Sequence, residues 1–301
     1  MARREPITPP PATQARYSLL VAAGANGQTA GDDRWGRGVV WTPEGCGAGG
    51  VVPAACGVVP DRNAPDRSGQ AYGDPFYVWA ADECDAQGFA ARDWQGRARR
   101  RLEATQSYQV AAELWAGALT LHEASEGNID TPASFLASTD QVVDENMDAA
   151  RAIGVAEALA MACSEGRRIM VHVPVAVLER AMTVSQYLLR DTGGIITTAM
   201  GNIVVADAGY SGTGPVGPDG GNTPDNSTQW IYATQLVQVR LGAVEMLPNS
   251  LRDALGWAQA LDRGTNDVTV WAQRLALYQL DPCCRIALST DVPALPTIDT
   301  L

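Results

Sequence analysis

The sequence predicts an α+β fold, on three observations. A proline-free stretch of about 30 residues carries apolar residues at helical spacing. The final third of the chain alternates apolar and polar residues at the two-residue period of strands. Between them lies a helix–strand–helix–hairpin pattern marked by glycine and proline.

The elements follow in chain order. Residues 1 to about 75 are rich in Gly, Pro and small polar residues. Trp35, Val39, Val40 and Trp41 form one short apolar run, with Val51–Val52 and Val58–Val59 forming others. This reads as an extended arm followed by a loop of β-hairpin type. Such a segment buries tryptophans poorly by itself, so Trp35 and Trp41 are expected to pack on something, a neighbouring subunit being a candidate.

A strand is expected at 75–80 and a long helix at 88–117, with the ladder Ala91, Trp94, Ala98, Leu102, Thr105, Tyr108, Ala112 and Trp115 on its inner face. If continuous, it would span roughly 45 Å at 1.5 Å per residue. Arg97, Arg99, Arg100 and Arg101 lie on this helix. Successive helical residues diverge by about 100°, so the cluster wraps the helix instead of forming one stripe. It reads either as a nucleic-acid patch or, the preferred reading, as solvated residues paired with carboxylates such as Glu103 or with another subunit.

After a loop containing His122 and Pro132, a second helix is expected at 141–165 and a buried strand at 169–173. A third helix follows at 175–190, with Pro174 at or just before its first turn. Gly193–Gly194 stops that helix. Strands at 195–198 and 203–206 meet at a tight turn through Met200, Gly201 and Asn202. Residues 207–228 read as a loop. Strands are expected at 229–234, 236–241, 268–280 and 285–288.

Composition bounds the function. Hydrophobic residues are 46% and charged residues 19%, enough for a sizeable core. No run of about 18 apolar residues predicts a membrane span, and Arg3 and Arg4 lack the apolar stretch of a secretory signal behind them. A soluble, intracellular product is expected. The net charge of −12 argues against sequence-independent nucleic-acid binding by the whole surface, although an acidic container can enclose DNA without adhering to it. All 22 basic residues are arginine. Without lysine there is no phosphate loop of the GxxxxGK[ST] type, no Schiff base and no lysine-activated serine.

Six cysteines occur, at 46, 56, 84, 163, 283 and 284, with no CxxC pair, and the two histidines, His122 and His172, stand far apart. Zinc-site spacing is missing, and no cofactor is expected. Buried free thiols are the ordinary expectation, with Cys283 and Cys284 on opposite faces if they lie on a strand. A Cys46–Cys56 bridge is the alternative. Cys163, His172 and Asp207 are the residues to nominate for a small cysteine hydrolase. No GxSxG elbow accompanies them, and a histidine in an apolar strand is more often a satisfied core residue. The glycine-rich loop 209–221 reads as a connection between strands, and Asp82–Glu83 and Asp144–Glu145 as capping or loop residues.

The order of arm, hairpin-type loop, strand, long helix, α/β lobe and late strands resembles the Hong Kong 97-type major capsid fold, shared by tailed-phage capsids and encapsulin shells. The wording of several segments is similar to capsid proteins of actinobacteriophages. These are Val171-His172-Val173-Pro174, Gly193-Gly194, the run from Asn202 to Pro215, Trp230-Ile231-Tyr232-Ala233-Thr234, Val237-Gln238-Val239-Arg240-Leu241 and the stretch from Arg263 to Cys284. The similarity covers roughly residues 74–291.

The resemblance implies an N-terminal arm at 1–30, an extended loop at 31–73 and a peripheral domain at 74–139 with its spine helix at 88–117. It further implies an axial domain at 140–245 and a return to the peripheral domain at 246–301, with residues 267–291 as its strands. It implies a structural subunit, not an enzyme, that assembles with itself into the pentamers and hexamers of a head enclosing double-stranded DNA, with scaffold, portal and decoration proteins as further partners. Trp35, Trp41, Arg97, Arg100 and Arg101 are its candidate inter-subunit contacts. Lysine–asparagine crosslinks, which some such capsids use, are excluded, so contacts between subunits would be non-covalent. A chain that enters its arm directly from Met1 implies a separate scaffold or none. An encapsulin-like shell around protein cargo, a tail or decoration protein and the small hydrolase are the alternatives.

Overall fold

The computed structural model describes residues 13, 15–24, 33–43, 70–85, 93–127, 133–184, 188–190, 194–217, 220–223, 225–248, 261–262 and 267–295. Two strands near the N-terminus, β1 (Val39–Trp41) and β2 (Ala71–Gly73), pair antiparallel, as a hairpin stem should. The tip of that loop, with Val51–Val52, Val58–Val59 and the Cys46–Cys56 pair, lies outside the described residues.

One sheet is organised by a single long strand. β13 (Asp267–Gln279) pairs along one side with β3 (Phe76–Asp85), from Asp267↔Asp85 to Ala276↔Phe76. Along its other side it meets three short strands in succession: β10 (Gln238–Leu241), β11 (Glu245–Leu247) and β12 (Leu261–Asp262), all antiparallel. The second sheet contains β4 (Val142–Met147), β5 (Ile169–Val173), β6 (Leu188–Arg190), β7 (Ile196–Thr198), β8 (Ile203–Ala206), β9 (Thr228–Gln235) and β14 (Ile286–Pro293). Its order is β4-β14-β9-β5-β8-β7-β6.

Three helices complete this frame: α2 (Trp94–Ala116), α4 (Ala149–Cys163) and α5 (Val175–Val184). A single turn, α1 (Leu19–Ala22), and the short α3 (Ala118–Ser125) accompany them. None of the described helices is long and apolar enough to cross a membrane.

Both faces of the seven-stranded sheet are covered, which explains why every residue of β5 is buried, His172 among four apolar ones. Ile169, Val171 and Val173 face α4 and α5, together with Val204, Ile231 and Leu288. Met170, Ile203, Val205, Trp230 and Tyr232 face the opposite way, into the core that also holds α2.

The α2 helix is the wall that the two sheets share. Asp93 caps it, accepting from the Gly96 N–H at 2.9 Å. It ends at Gly117, whose left-handed φ of 58° and whose close approach to the Phe135 ring leave no room for a Cβ. Trp94, Ala98 and Leu102 are buried as the ladder predicts. Farther along, the buried stripe runs through Gln106, Val110 and Leu114, while Tyr108 faces solvent. The polar Gln106 hides this stripe in the sequence. It is buried because it accepts from Arg274 Nη1 at 3.1 Å.

Gln109 and Arg101 of α2 also reach the free edge of β3. Gln109 receives the Trp79 N–H at 3.0 Å and donates to the Trp79 carbonyl at 2.9 Å, and Arg101 donates to the Ala81 carbonyl. An edge so occupied is closed to further strands there.

Several expectations are corrected. The long helix begins at Trp94 and not at 88, because the Asp93 cap sets its first turn; residues 86–92 lie outside the described set. The helix expected at 141–165 is a strand and a helix. Val142–Met147 lies parallel to β14, and Asp148, bonded to the Ala150 N–H at 3.0 Å, starts α4. The β-branched pair Val142–Val143 suits a strand, but its partner stands about 145 residues downstream, beyond any local pattern. The helix expected at 175–190 stops at Val184, and Leu188–Arg190 pairs with β7 instead. His122 sits in α3, not in a loop. The late strands do not return together: β13 joins β3, whereas β14 crosses into the other sheet between β4 and β9.

Candidate functional site

The residues nominated for hydrolase chemistry do not form a site. Cys163 is joined to Cys284 in a disulfide, with Cα atoms 5.5 Å apart, so it holds no thiol. His172 is fully buried and spends both ring nitrogens on neutral partners: Nδ1 on Tyr210 Oη at 2.8 Å and Nε2 on Thr234 Oγ1 at 3.0 Å. Asp207 is equally occupied. It accepts from the Leu19 N–H at 3.0 Å, from Ser107 Oγ at 2.7 Å and from the Gly209 N–H at 3.0 Å. The carboxylate therefore ties α1, α2 and the loop after β8 to one point, which is a structural role.

The expectation of free thiols is corrected with it. Cys163, Cys283 and Cys284 are all disulfide-bonded. Cys284 lies in the turn between β13 and β14 with φ 58°, and not on a strand.

Burial holds the His172 imidazole well below its ordinary value, at about 3. The folded protein keeps this ring neutral, whereas the unfolded chain protonates it below about 6.5. Its contribution is therefore present above pH 6.5 and is lost as pH falls from there toward 3, with a slope of up to about 1.4 kcal/mol per pH unit. Urea unfolding across this range should show the wild type losing stability faster than His172→Gln. Parallel curves for the two proteins would refute the assignment.

The arginine cluster is paired within its own chain. Arg97 meets the buried Asp82 at 3.1 Å and lies over the Trp94 ring at 5.4 Å, and Arg101 meets Asp82 at 3.5 Å. Arg100 meets Asp93 at 3.2 Å and Arg99 meets Glu103 at 2.9 Å. The Gly96 N–H, and then Arg100, hold the Asp93 carboxyl below the usual carboxylate range. Exposed pairs of this kind contribute little to stability. The arginines keep much of their surface in water.

Trp35 is 8% exposed and buried within its own chain, beside Gly36, which stands over Leu275 of β13. Trp41 is half-buried, with its ring edge against Gly73 of β2. The composition of β3 and β13 hides a further surface from sequence reading. Tyr77, Trp79 (56% exposed) and Trp271 share the face of their sheet opposite Val78, Ala80, Val270 and Ala272. The alternation Phe76-Tyr77-Val78-Trp79-Ala80 is aromatic on both faces, so hydropathy alone could not tell inner from outer.

This architecture of two sheets, a shared long helix and a hairpin stem is of the Hong Kong 97-type fold. Among solved structures, the chain is similar to the capsid of Ralstonia phage GP4, with 12% identity, 99% of this chain and 97% of that chain covered, and a TM-score of 0.54. It is similar to the capsid of cyanophage P-SCSP1u, with 12% identity, 97% and 93% coverage and a TM-score of 0.50. A chain of Gordonia phage Cozz is alike at 11% identity, 98% and 92% coverage and a TM-score of 0.50. No protein-family model and no curated protein matches the chain.

Proposed function

We propose that this chain is the major capsid protein of a tailed double-stranded DNA bacteriophage, a structural subunit and not an enzyme. The observation that carries the proposal is the end-to-end fold likeness to the capsid of Ralstonia phage GP4. On this reading the protein assembles with itself into the pentamers and hexamers of an icosahedral head, by many weak contacts closed by symmetry. The sheet of β3 and β13 with α2 serves as the peripheral domain, the seven-stranded sheet as the axial domain, and the β1–β2 hairpin as the stem of the extended loop. The absence of lysine from the sequence rules out lysine–asparagine crosslinks between subunits, and the proposed contacts are non-covalent.

The exposed sides of Arg100 and Arg101, together with Trp41 and Arg97, remain the proposed contact positions. The burial of Trp35 in its own subunit gives it the task of seating the arm. Negative-stain microscopy of the purified full-length protein should reveal uniform closed particles, and deletion of residues 1–70 should abolish them. Normal particles from the deleted chain would remove the arm from assembly. A small species that never closes, from the full chain, would sink the capsid reading itself.

A further inference from the structure

The Cys163–Cys284 bond is placed asymmetrically. Cys163 closes α4 at an exposed position, whereas Cys284 is 4% exposed inside the turn between β13 and β14. The two are 121 residues apart in sequence. The turn has its own non-covalent supports. Arg285 donates to the Phe135 carbonyl at 2.7 Å and to Ser138, Thr139 Oγ1 donates to the Arg285 carbonyl at 2.6 Å, and the Cys283 N–H reaches Asp281 at 2.9 Å. Packing likewise holds α4 independently, through Ala152, Ile153, Ala156 and Ala160 on the sheet. The bond therefore fastens two parts that are already in place, and one of its cysteines is an exposed residue at the end of a helix.

We propose that Cys163–Cys284 is a redox-operated staple, open when the chain folds in a reducing cytoplasm and closed in oxidising surroundings. The inference rests on the capsid reading for that change of surroundings. Closure uses a low-molecular-weight disulfide such as glutathione disulfide. The Cys163 thiolate attacks one of its sulfurs, forming a mixed disulfide and releasing one glutathione. The Cys284 thiolate then attacks the Cys163 sulfur and expels the second glutathione. The two protein thiols lose two electrons and two protons, which the two glutathione thiols carry away. On this proposal a glutathione thiolate opens the staple by the reverse path, attacking the Cys163 sulfur from the exposed end of α4.

The test uses the full-length protein, whether or not it assembles. Incubation with millimolar reduced glutathione under native conditions, then iodoacetamide and peptide mass mapping, should label Cys163. Circular dichroism should stay unchanged while the melting temperature falls by roughly 5 to 10 °C. The double variant Cys163→Ser/Cys284→Ser should melt near the reduced wild type, and its own response to glutathione measures what the Cys283 bond adds. Labelling of Cys163 only after denaturation would overturn the proposal. So would a double variant that melts with the oxidised wild type. None of these readouts depends on particles, so the staple and the capsid reading can fail separately.

Discussion

Alanine at position 209 should leave little or no folded, soluble protein. Gly209 lies where the loop after β8 meets α2, and a Cβ built there would stand 2.2 Å from the Tyr108 carbonyl oxygen and 2.8 Å from the Ala112 nitrogen. Both are backbone atoms of α2, so neither can swing aside as a flexible side chain would. One neighbour of Gly209 in the chain is Tyr210, bonded to His172, and Asp207 just before it anchors Leu19 and Ser107. Displacing the loop therefore disturbs the whole polar hub. A cost of about 3 kcal/mol or more is expected against a total stability of about 5–15 kcal/mol. Gly154 supplies the control. It lies within α4 with nothing within 4 Å of its would-be Cβ, and Gly154→Ala should stabilise by about 1 kcal/mol. Soluble yield and urea midpoints for the two variants give the comparison, and a Gly209→Ala protein as stable as wild type would contradict the packing described.

The second large effect is expected at Trp115. Its ring is fully buried between Tyr232, edge to face at 4.7 Å, and Tyr210 at 5.0 Å, and its Nε1 donates to Thr213 Oγ1 at 3.1 Å. Trp115→Ala should cost about 3–5 kcal/mol, through lost transfer energy and the cavity left behind. Trp115→Phe should fall between, since it retains an aromatic contact with Tyr232 and surrenders the hydrogen bond. Urea titrations that place the phenylalanine variant no higher than the alanine variant would show that the hydrogen bond, and not the ring, carries the energy.

Much of this fold was legible in the residues. The α2 helix announces itself through Trp94, Ala98, Leu102 and a closing Gly117. The turn at Met200–Asn202 and the alternation of β13 are equally plain. What escaped reading depends on partners far away in the chain. Val142–Met147 looks helical beside the alanine-rich α4 until β14 is placed next to it, and Leu188–Arg190 continues α5 until β7 pairs with it. The candidate site shows the same limit. Cys163, His172 and Asp207 are all unusual residues, and each does have a specific partner. Those partners are Cys284, Tyr210 with Thr234, and Leu19 with Ser107, which no spacing in the sequence brings together.

The pairing of β3 with β13 also sets a timetable for the growing chain. Partners in that ladder are 182 residues apart at Asp85↔Asp267 and 200 apart at Phe76↔Ala276. At about 5–20 residues per second, a ribosome needs roughly 10–40 s to deliver β13 after β3 has left it. Through that interval β3 waits without its strand partner. The occupation of the β3 edge by Arg101 and Gln109, which follow within about 30 residues, gives the strand an early companion on one side while the other is still being made.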